Sequence, residues 1–486
     1  MKNNYNQGVV VAIVEILFVL TTTFLFSACT KTFLDRKPSN YNNEQNAYKD
    51  LKSIQVALAG CYDGLQDYRY YGRNFILISE VLSGNAKLAS DNTSNFSAYY
   101  NYSITSYEAE IEGFWEVGYQ IISRTNKVVD ALNKFPSSVE CNQIKGEALA
   151  LRALVYYDLI RTFSQSYGVT NGVDSADGNG GHAGIPLVLE KTNVDSLISP
   201  KRAKVREVYS QIIEDLKRAD SLLIDNPSMP YTFGSLAVKA LLSRVFLSTK
   251  NWSKALEYSK AVMLSGKYKL LENEEYKDSW SKEYTSESIL SVPNSLTDNT
   301  GTNSIGFMLL KVGYGDSVAS NDLYILFKAD DVRKNFYQKG KDIFVCKYPG
   351  RLTPGLDNIP ILRYSEMYLT RAEALTELSL NSSNKMLLQG TVRLLMDTLR
   401  QRANPNEIPI KASDIDLLNI IIRERRMEFA FEGQQFFDMK RRCSDIIRED
   451  CNASICSIVF PNKLFAMPIP ESEVNANKNM KQNPGY

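Results

Sequence analysis

Leu236-Ala237-Val238-Lys239-Ala240-Leu241-Leu242-Ser243-Arg244-Val245-Phe246-Leu247, then a break of four residues, then Trp252-Ser253-Lys254-Ala255-Leu256-Glu257-Tyr258-Ser259-Lys260-Ala261-Val262-Met263-Leu264-Ser265-Gly266. Apolar residues recur at helical spacing in both halves, and the break is too short for anything but an antiparallel return. Ala237, Ala240, Ala255 and Ala261 let the two helices approach closely, while Leu241, Val245, Tyr258 and Val262 fill the interface. The unit is similar to a tetratricopeptide repeat, whose helix pairs bury their faces by stacking on neighbours.

The same period recurs at 51–66, 115–133, 143–163, 205–223, 363–378, 392–403 and 415–431, so the chain reads as mostly α: a scaffold of helix pairs at irregular spacing. Between the helices lie four long stretches without helical period, 67–112, 164–202, 268–358 and 445–486. Loops of that length in a compact domain carry function or stay disordered, and here they predict a ligand face on one side of the scaffold.

The 56 Lys and Arg balance 55 Asp and Glu, which gives no electrostatic reason to expect nucleic acid or an anionic surface as partner. Tyrosine (28) and phenylalanine (21) far outnumber tryptophan (3), and several tyrosines crowd the irregular stretches. Exposed, such rings stack on flat or apolar ligand faces; buried, they cap a core with the hydroxyl turned to a partner.

At the N-terminus, Val9 to Ala28 is mostly apolar and ends Phe26-Ser27-Ala28-Cys29, a lipobox-like junction. A carboxylate such as Glu15 within a membrane span would cost on the order of 3 kcal/mol. Residues 1–28 are therefore expected to be a cleaved signal peptide, Cys29 the lipidated residue, 29–46 a polar tether holding Pro38, and 47–486 a single domain. No Cys-x-x-Cys pair occurs among the other six cysteines, so structural zinc is not expected. Cys443, Cys451 and Cys456 lie close together, as free thiols or with a disulfide between two of them.

Signatures of catalytic chemistry are sparse in the chain. Glu424 and Glu428 imitate a glycosidase carboxyl pair, but adjacent arginines would hold both ionised and remove the protonated acid. His182, the sole histidine, sits in a glycine-rich segment and reads as an exposed loop residue. Asp174, Asp177, Gly178 and Asn179 lack the spacing and terminal Glu of a calcium loop, so neither a metal nor a cofactor is expected. Glu366, Arg371, Glu424, Arg425, Glu428 and Glu432 sit among apolar residues and predict ion pairs, both along the helix and between helices.

Seven strings in order carry a family resemblance: Phe33-Leu34-Asp35 with Pro38; Ala59-Gly60-Cys61-Tyr62-Asp63-Gly64-Leu65; Trp115 with Asn126; Gly146 to Leu159, closed by Gly184-Ile185-Pro186-Leu187; Leu362 to Ala374; Glu424 to Gly433 with Phe437-Asp438-Met439-Lys440-Arg441; and the ending Gln482-Asn483-Pro484-Gly485-Tyr486. Together the strings resemble the SusD/RagB family of surface nutrient-binding lipoproteins, along almost the whole chain after Cys29. The resemblance implies no enzymatic activity, a lipid anchor in the outer membrane with the body facing outward, a SusC-like TonB-dependent transporter as partner, and a glycan or oligosaccharide as ligand. An oligopeptide ligand, or a purely structural lid role, are the alternatives it leaves. On that reading Trp280 is the favoured stacking residue, with Tyr70, Tyr71, Tyr99, Tyr100, Tyr102, Tyr284 and Tyr314 as further rings. Arg73, Asn85, Asn92 and Asn95 are the polar companions, hydrogen-bonding sugar hydroxyls.

Overall fold

In the computed structural model, residues 8–17, 48–189 and 199–486 are described. Residues 8–17 are helical and exposed, and none of the described helices is long and apolar enough to cross a membrane. Most of the expected signal peptide, the lipidation site Cys29 and the tether lie outside the described residues. Residues 50–486 form one compact unit, and residues 1–49 fall outside it.

Eleven helices of seven residues or more carry that unit: α1 (Leu51–Gln66), α2 (Asn74–Ser83), α3 (Ala109–Leu132), α4 (Val139–Phe163), α5 (Val205–Leu222), α6 (Ser235–Ser248), α7 (Trp252–Leu264), α8 (Tyr364–Ser379), α9 (Lys385–Ala403), α10 (Asp414–Glu428) and α11 (Gln435–Arg441). Local chemistry starts several of them. Asp50 and Ser53 form a reciprocal capping box on α1, Ser138 accepts from the Cys141 N–H at the start of α4, and Asn251 accepts from Lys254 at the start of α7.

The stack runs α1–α3–α4–α5–α6–α7–α8–α9, each helix packed on the next, with α10 closing against α8 and α9. The quoted α6–α7 pair packs as its sequence requires. Ala237, Ala240, Ala255, Leu241, Val245 and Val262 are buried, and Tyr258 stacks on Phe246 with ring centroids 5.6 Å apart. Close approach is enforced at Gly146 of α4, where a Cβ would stand 2.7 Å from Leu223.

Among the described residues, ten short strands form two-stranded antiparallel pairs that clip the irregular segments to the scaffold: β1 (Ala86–Leu88) with β5 (Ser317–Ala319), β2 (Ala183–Pro186) with β3 (Arg202–Lys204), β4 (Ser288–Val292) with β8 (Ile359–Arg363), β6 (Tyr337–Lys339) with β7 (Ile343–Val345), and β9 (Ile446–Ile447) with β10 (Ser457–Ile458). In β1–β5, Ala86 faces Ala319 and Leu88 faces Ser317, which lays the 89–96 loop beside the 310–316 loop.

The stretch 67–112, read as irregular, contains α2. Asn74-Phe75-Ile76-Leu77-Ile78-Ser79-Glu80-Val81-Leu82-Ser83 is buried on nearly every side, so it shows no one-sided period. It ends at Gly84, left-handed at φ +79°, against the Arg448 stem.

The expected ion pairs form, but between distant segments. Arg244 of α6 meets Glu366 of α8 at 2.6 Å; Glu428 of α10 takes Arg402 of α9 at 2.7 Å, Arg363 of β8 at 3.0 Å and Arg333 at 3.2 Å; Glu424 takes Arg333 at 2.6 Å; Glu432 takes Arg363 and Lys347 at 2.8 and 2.7 Å. The pairing expected along the 424–432 helix is replaced by these long-range partners, because α10 ends at Glu428 and both Glu424 and Glu428 are buried in the core. Arg371 makes no ion pair among the described residues and lies against the Met263 sulfur.

Candidate functional site

Arg73 ends the turn between α1 and α2, and the 300–315 segment docks beside it through the Ile305 N–H, which donates to the Gly72 carbonyl at 2.9 Å. The Arg73 guanidinium carbon lies 4.8 Å over the Tyr68 ring and 5.9 Å from Phe96. Its Nε donates to Asn74 Oδ1 at 2.8 Å and its Nη1 reaches Asn303 at 3.5 Å, while Nη2 makes no hydrogen bond among the described residues. Partial burial lowers its pKa from the ordinary arginine value, with Tyr68, Glu110 and Tyr314 acting the other way.

On the docked segment Phe307 and Tyr314 meet edge to face with centroids 5.1 Å apart, and the Tyr314 N–H donates to the Phe307 carbonyl at 2.8 Å. Tyr314 is 53 % exposed and Tyr68 37 %, with Phe307 half-buried. Two open rings, a third at the edge and a guanidinium with a spare donor thus form a shelf at the surface. Rings of this kind stack on the apolar faces of sugars, and the guanidinium and Asn303 amide suit hydroxyls.

Of the residues expected to bind ligand, Arg73 and Tyr314 fall on this shelf. Tyr70 and Tyr71 do not: both are buried, and their hydroxyls donate to Asp158 Oδ2 at 2.5 and 2.6 Å, where Arg161 closes an ion pair at 2.7 Å. Tyr99, Tyr100 and Tyr102 are buried as well. Tyr99 points at Glu110, Tyr100 donates to Asn452 at 2.6 Å, and Tyr102 donates to the Leu82 carbonyl, with Arg448 4.4 Å over its ring. These five rings cap the core beneath the loops, the packing role tyrosine takes when its hydroxyl finds a partner.

Asn85 is buried too, donating to Glu80 Oε2 and accepting from Arg426 Nε, each at 2.8 Å. Asn92 and Asn95 spend their amides on Asp316, whose carbonyl and carboxylate tie the 89–96 loop to β5. These amides are structural.

Trp280 is half-buried. Lys347 Nζ lies 4.4 Å over its ring, and Tyr348 and Phe336 stand edge-on at 5.3 and 6.3 Å. It roofs the Arg363–Glu432–Lys347 cluster, and beside it Tyr284, Ser288 and Asn358 border a cleft of about 50 Å³. Through these contacts Trp280 packs the loop onto that cluster.

His182, expected in an exposed loop, is buried, with Nε2 3.2 Å from the Gln165 carbonyl. Burial lowers its pKa, the contact to Gln165 opposing. Asp177 is occupied by its own loop, accepting from the Asn179 and Gly181 N–H groups and pairing with Arg206. Burial alone would raise the Glu428 carboxyl, but Arg402, Arg363 and Arg333 hold it well below the ordinary glutamate range, so it offers no proton to a leaving group. Cys451 and Cys456 form a disulfide, and Cys443 stays free.

What the sequence reading missed is Tyr68, Phe307 and Asn303. Tyr68 stands just before two tyrosines that turn inward, Tyr70 and Tyr71, and Phe307 in a buried-looking Ile305-Gly306-Phe307-Met308-Leu309 run. No period separates the one exposed ring from its buried neighbours.

The profile of a family described as starch-binding and associating with the outer membrane matches residues 32–247, and that of the SusD family matches residues 348–486. A SusD-like protein of Bacteroides ovatus is 26 % identical over 489 residues, covering 87 % of this chain and 82 % of the relative. The starch-binding protein SusD of Bacteroides thetaiotaomicron is 28 % identical over 157 residues, 32 % of this chain and 25 % of that protein. Among solved structures, a putative sugar-binding protein of Bacteroides vulgatus superposes with a TM-score of 0.79 at 28 % identity, over 90 % of this chain and 98 % of that one. A SusD superfamily protein of Bacteroides thetaiotaomicron superposes at 0.78 and 25 % identity, over 89 % and 99 %. Fold and profiles together define a tetratricopeptide-like helical protein of a carbohydrate-binding, outer-membrane-associated class. The chain belongs to the SusD/RagB family.

Proposed function

We propose that this protein holds a glycan or oligosaccharide at the cell surface, on the shelf of Tyr68, Arg73, Phe307 and Tyr314, and passes it to a TonB-dependent transporter in the outer membrane. Cys29 supplies the lipid anchor and no bond in the ligand is broken. The observation that carries this reading is the Arg73 guanidinium, set over the Tyr68 ring with one nitrogen uncommitted, beside the exposed Tyr314. An open shelf without an enclosing pocket suits a polymer, because each ring contributes a modest stacking energy and neighbouring sugar units add further contacts. The starch-binding description of the family, and the sugar-binding one of a structural relative, support the ligand class.

The test is calorimetric titration of the protein body with plant, host and microbial glycans, alongside a mixed oligopeptide pool. Saturable binding to one glycan class that Arg73→Ala and Tyr314→Ala each weaken is the expected result. Binding to the peptide pool alone would replace the glycan reading with peptide capture, and binding to neither would leave a lid role.

A further inference from the structure

A cavity of about 710 Å³ opens between the middle of α1, the start of α4 and the 224–232 loop. It lies within the size range of small-ligand sites, roughly 300 to 1,000 Å³. It shares no residue with the Arg73 shelf: Leu58 and Tyr62 of α1 line it, whereas the shelf begins beyond the helix's last residue, Gln66, about 12 Å from Leu58 along the axis.

Glu147 forms the floor and is only 8 % exposed. Its carboxylate accepts from the Tyr62 hydroxyl at 2.8 Å and from Gln143 Nε2 at 2.9 Å. Tyr62 in turn accepts from the Phe233 N–H at 2.9 Å, and Gln143 Oε1 from the Ile224 N–H at 3.2 Å. Every group that holds Glu147 is neutral.

That sets it apart from the other buried acids nearby in the helix stack. Asp158 has Arg161, Asp215 has Arg152, and Glu366 has Arg244, all within 2.7 Å. Among the described residues no Lys or Arg lines the cavity, and the other charged groups facing it, Glu140 and Asp225, are acidic. Burial raises the Glu147 carboxyl above the ordinary glutamate range, with Gln143 and Tyr62 opposing. The rest of the lining is mixed, with Leu58, Ile144 and Met229 beside Gln55, Asn226 and Thr232, and the apolar Val139 and Ile224 stand 70 % and 62 % exposed.

A buried carboxylate without counter-charge, in an opening that also presents apolar side chains and two further acids, is complementary to a cation on a methylene stem. We propose that this cavity receives a lysine or arginine side chain from a segment of a partner protein, its charge meeting Glu147 and its stem lying along Leu58, Ile144 and Ile224. The Arg–carboxylate pairing that Asp158, Asp215 and Glu366 make within the helix stack is then completed here by the partner. The partner's apolar residues cover Val139 and Ile224.

The test is calorimetric titration of the detergent-solubilised full-length protein with the capped tripeptide acetyl-Leu-Lys-Leu-amide and its uncharged match, in which norleucine replaces lysine. Saturable binding of the lysine peptide is expected, at least tenfold tighter than the norleucine peptide and weakened at least tenfold by Glu147→Gln, which is nearly isosteric and keeps a group for Tyr62 to bond. Ala59→Phe, filling the cavity from an exposed position of α1, is expected to block the same binding without touching the floor. Arg73→Ala is expected to leave it unchanged, which separates this site from the glycan shelf. Equal affinity for the two peptides, no binding of the lysine peptide, or full binding in both Glu147→Gln and Ala59→Phe would overturn the proposal.

Discussion

Trp280 and Tyr314 show how differently two aromatic residues of one irregular segment are used. Lys347, Tyr348 and Phe336 surround Trp280, so Trp280→Ala removes packing: a loss of about 3 kcal/mol in urea unfolding is expected, with glycan affinity unchanged. Tyr314 is half in water and supports nothing beneath it except its edge contact to Phe307. Tyr314→Ala and Arg73→Ala are each expected to weaken glycan binding about tenfold, ~1.4 kcal/mol, while the unfolding midpoint stays within the error of the wild type. Asp357 gives a third prediction at this scale. Burial pushes its carboxyl up to about 7, the Gly350 N–H and Arg351 opposing, and its Oδ2 has no partner among the described residues. Folded Asp357 therefore holds a proton that the unfolded chain releases near pH 4, so its contribution to stability declines as pH rises from about 4 to about 7. Asp357→Asn should abolish that decline: its advantage over wild type is expected to grow across this window and level off above it, read from urea midpoints at pH 4, 5.5, 7 and 8.

At the scale of elements, the acids of α8 and α10 join segments that the chain keeps far apart. Glu373 on α8 meets Arg441 on α11 and the adjacent Arg442, both at 2.7 Å, and Glu428 on α10 meets Arg402, Arg363 and Arg333. Burial would raise both carboxyls, but the guanidiniums outweigh it and hold them below the ordinary glutamate range. A depressed folded pKa contributes stability that is present above the unfolded value, about 4.3, and is lost as pH falls below it. Acid should therefore loosen the α8–α10–α11 region, with the midpoint dropping steeply below about pH 4. Glu428→Gln leaves three buried arginines short of charge, and a loss of about 3 to 5 kcal/mol at pH 7 is expected. α2 is enclosed on nearly every side and only ten residues long, so neither a one-sided pattern nor length marked it, whereas the equally enclosed α6 runs for fourteen residues.

For the whole molecule, the division of labour is between a scaffold that stacks helix on helix and irregular segments clipped to it by two-stranded pairs. Residues 50–486 form one unit with its own core, so the body is expected to unfold in a single transition when produced from residue 48 onward. Cys29→Ala should move the protein from the membrane fraction to the soluble fraction without altering that transition; retention in the membrane fraction would argue against lipid anchoring. Legible in the sequence were the helix-pair scaffold, the family, the single histidine that rules out a paired-histidine site, and the ion pairing of Glu366, Glu424, Glu428 and Glu432. Each of these depends on residue type and local spacing, which the chain carries openly. Only the tertiary structure decided which tyrosines face water. Tyr70 and Tyr71 turn to Asp158 while Tyr68, two residues earlier, stays exposed beneath Arg73, because Asp158 arrives from α4, almost ninety residues away. The shelf and the Glu147 cavity likewise join segments remote in sequence, and a side chain's exposure is fixed by what packs against it from elsewhere in the fold.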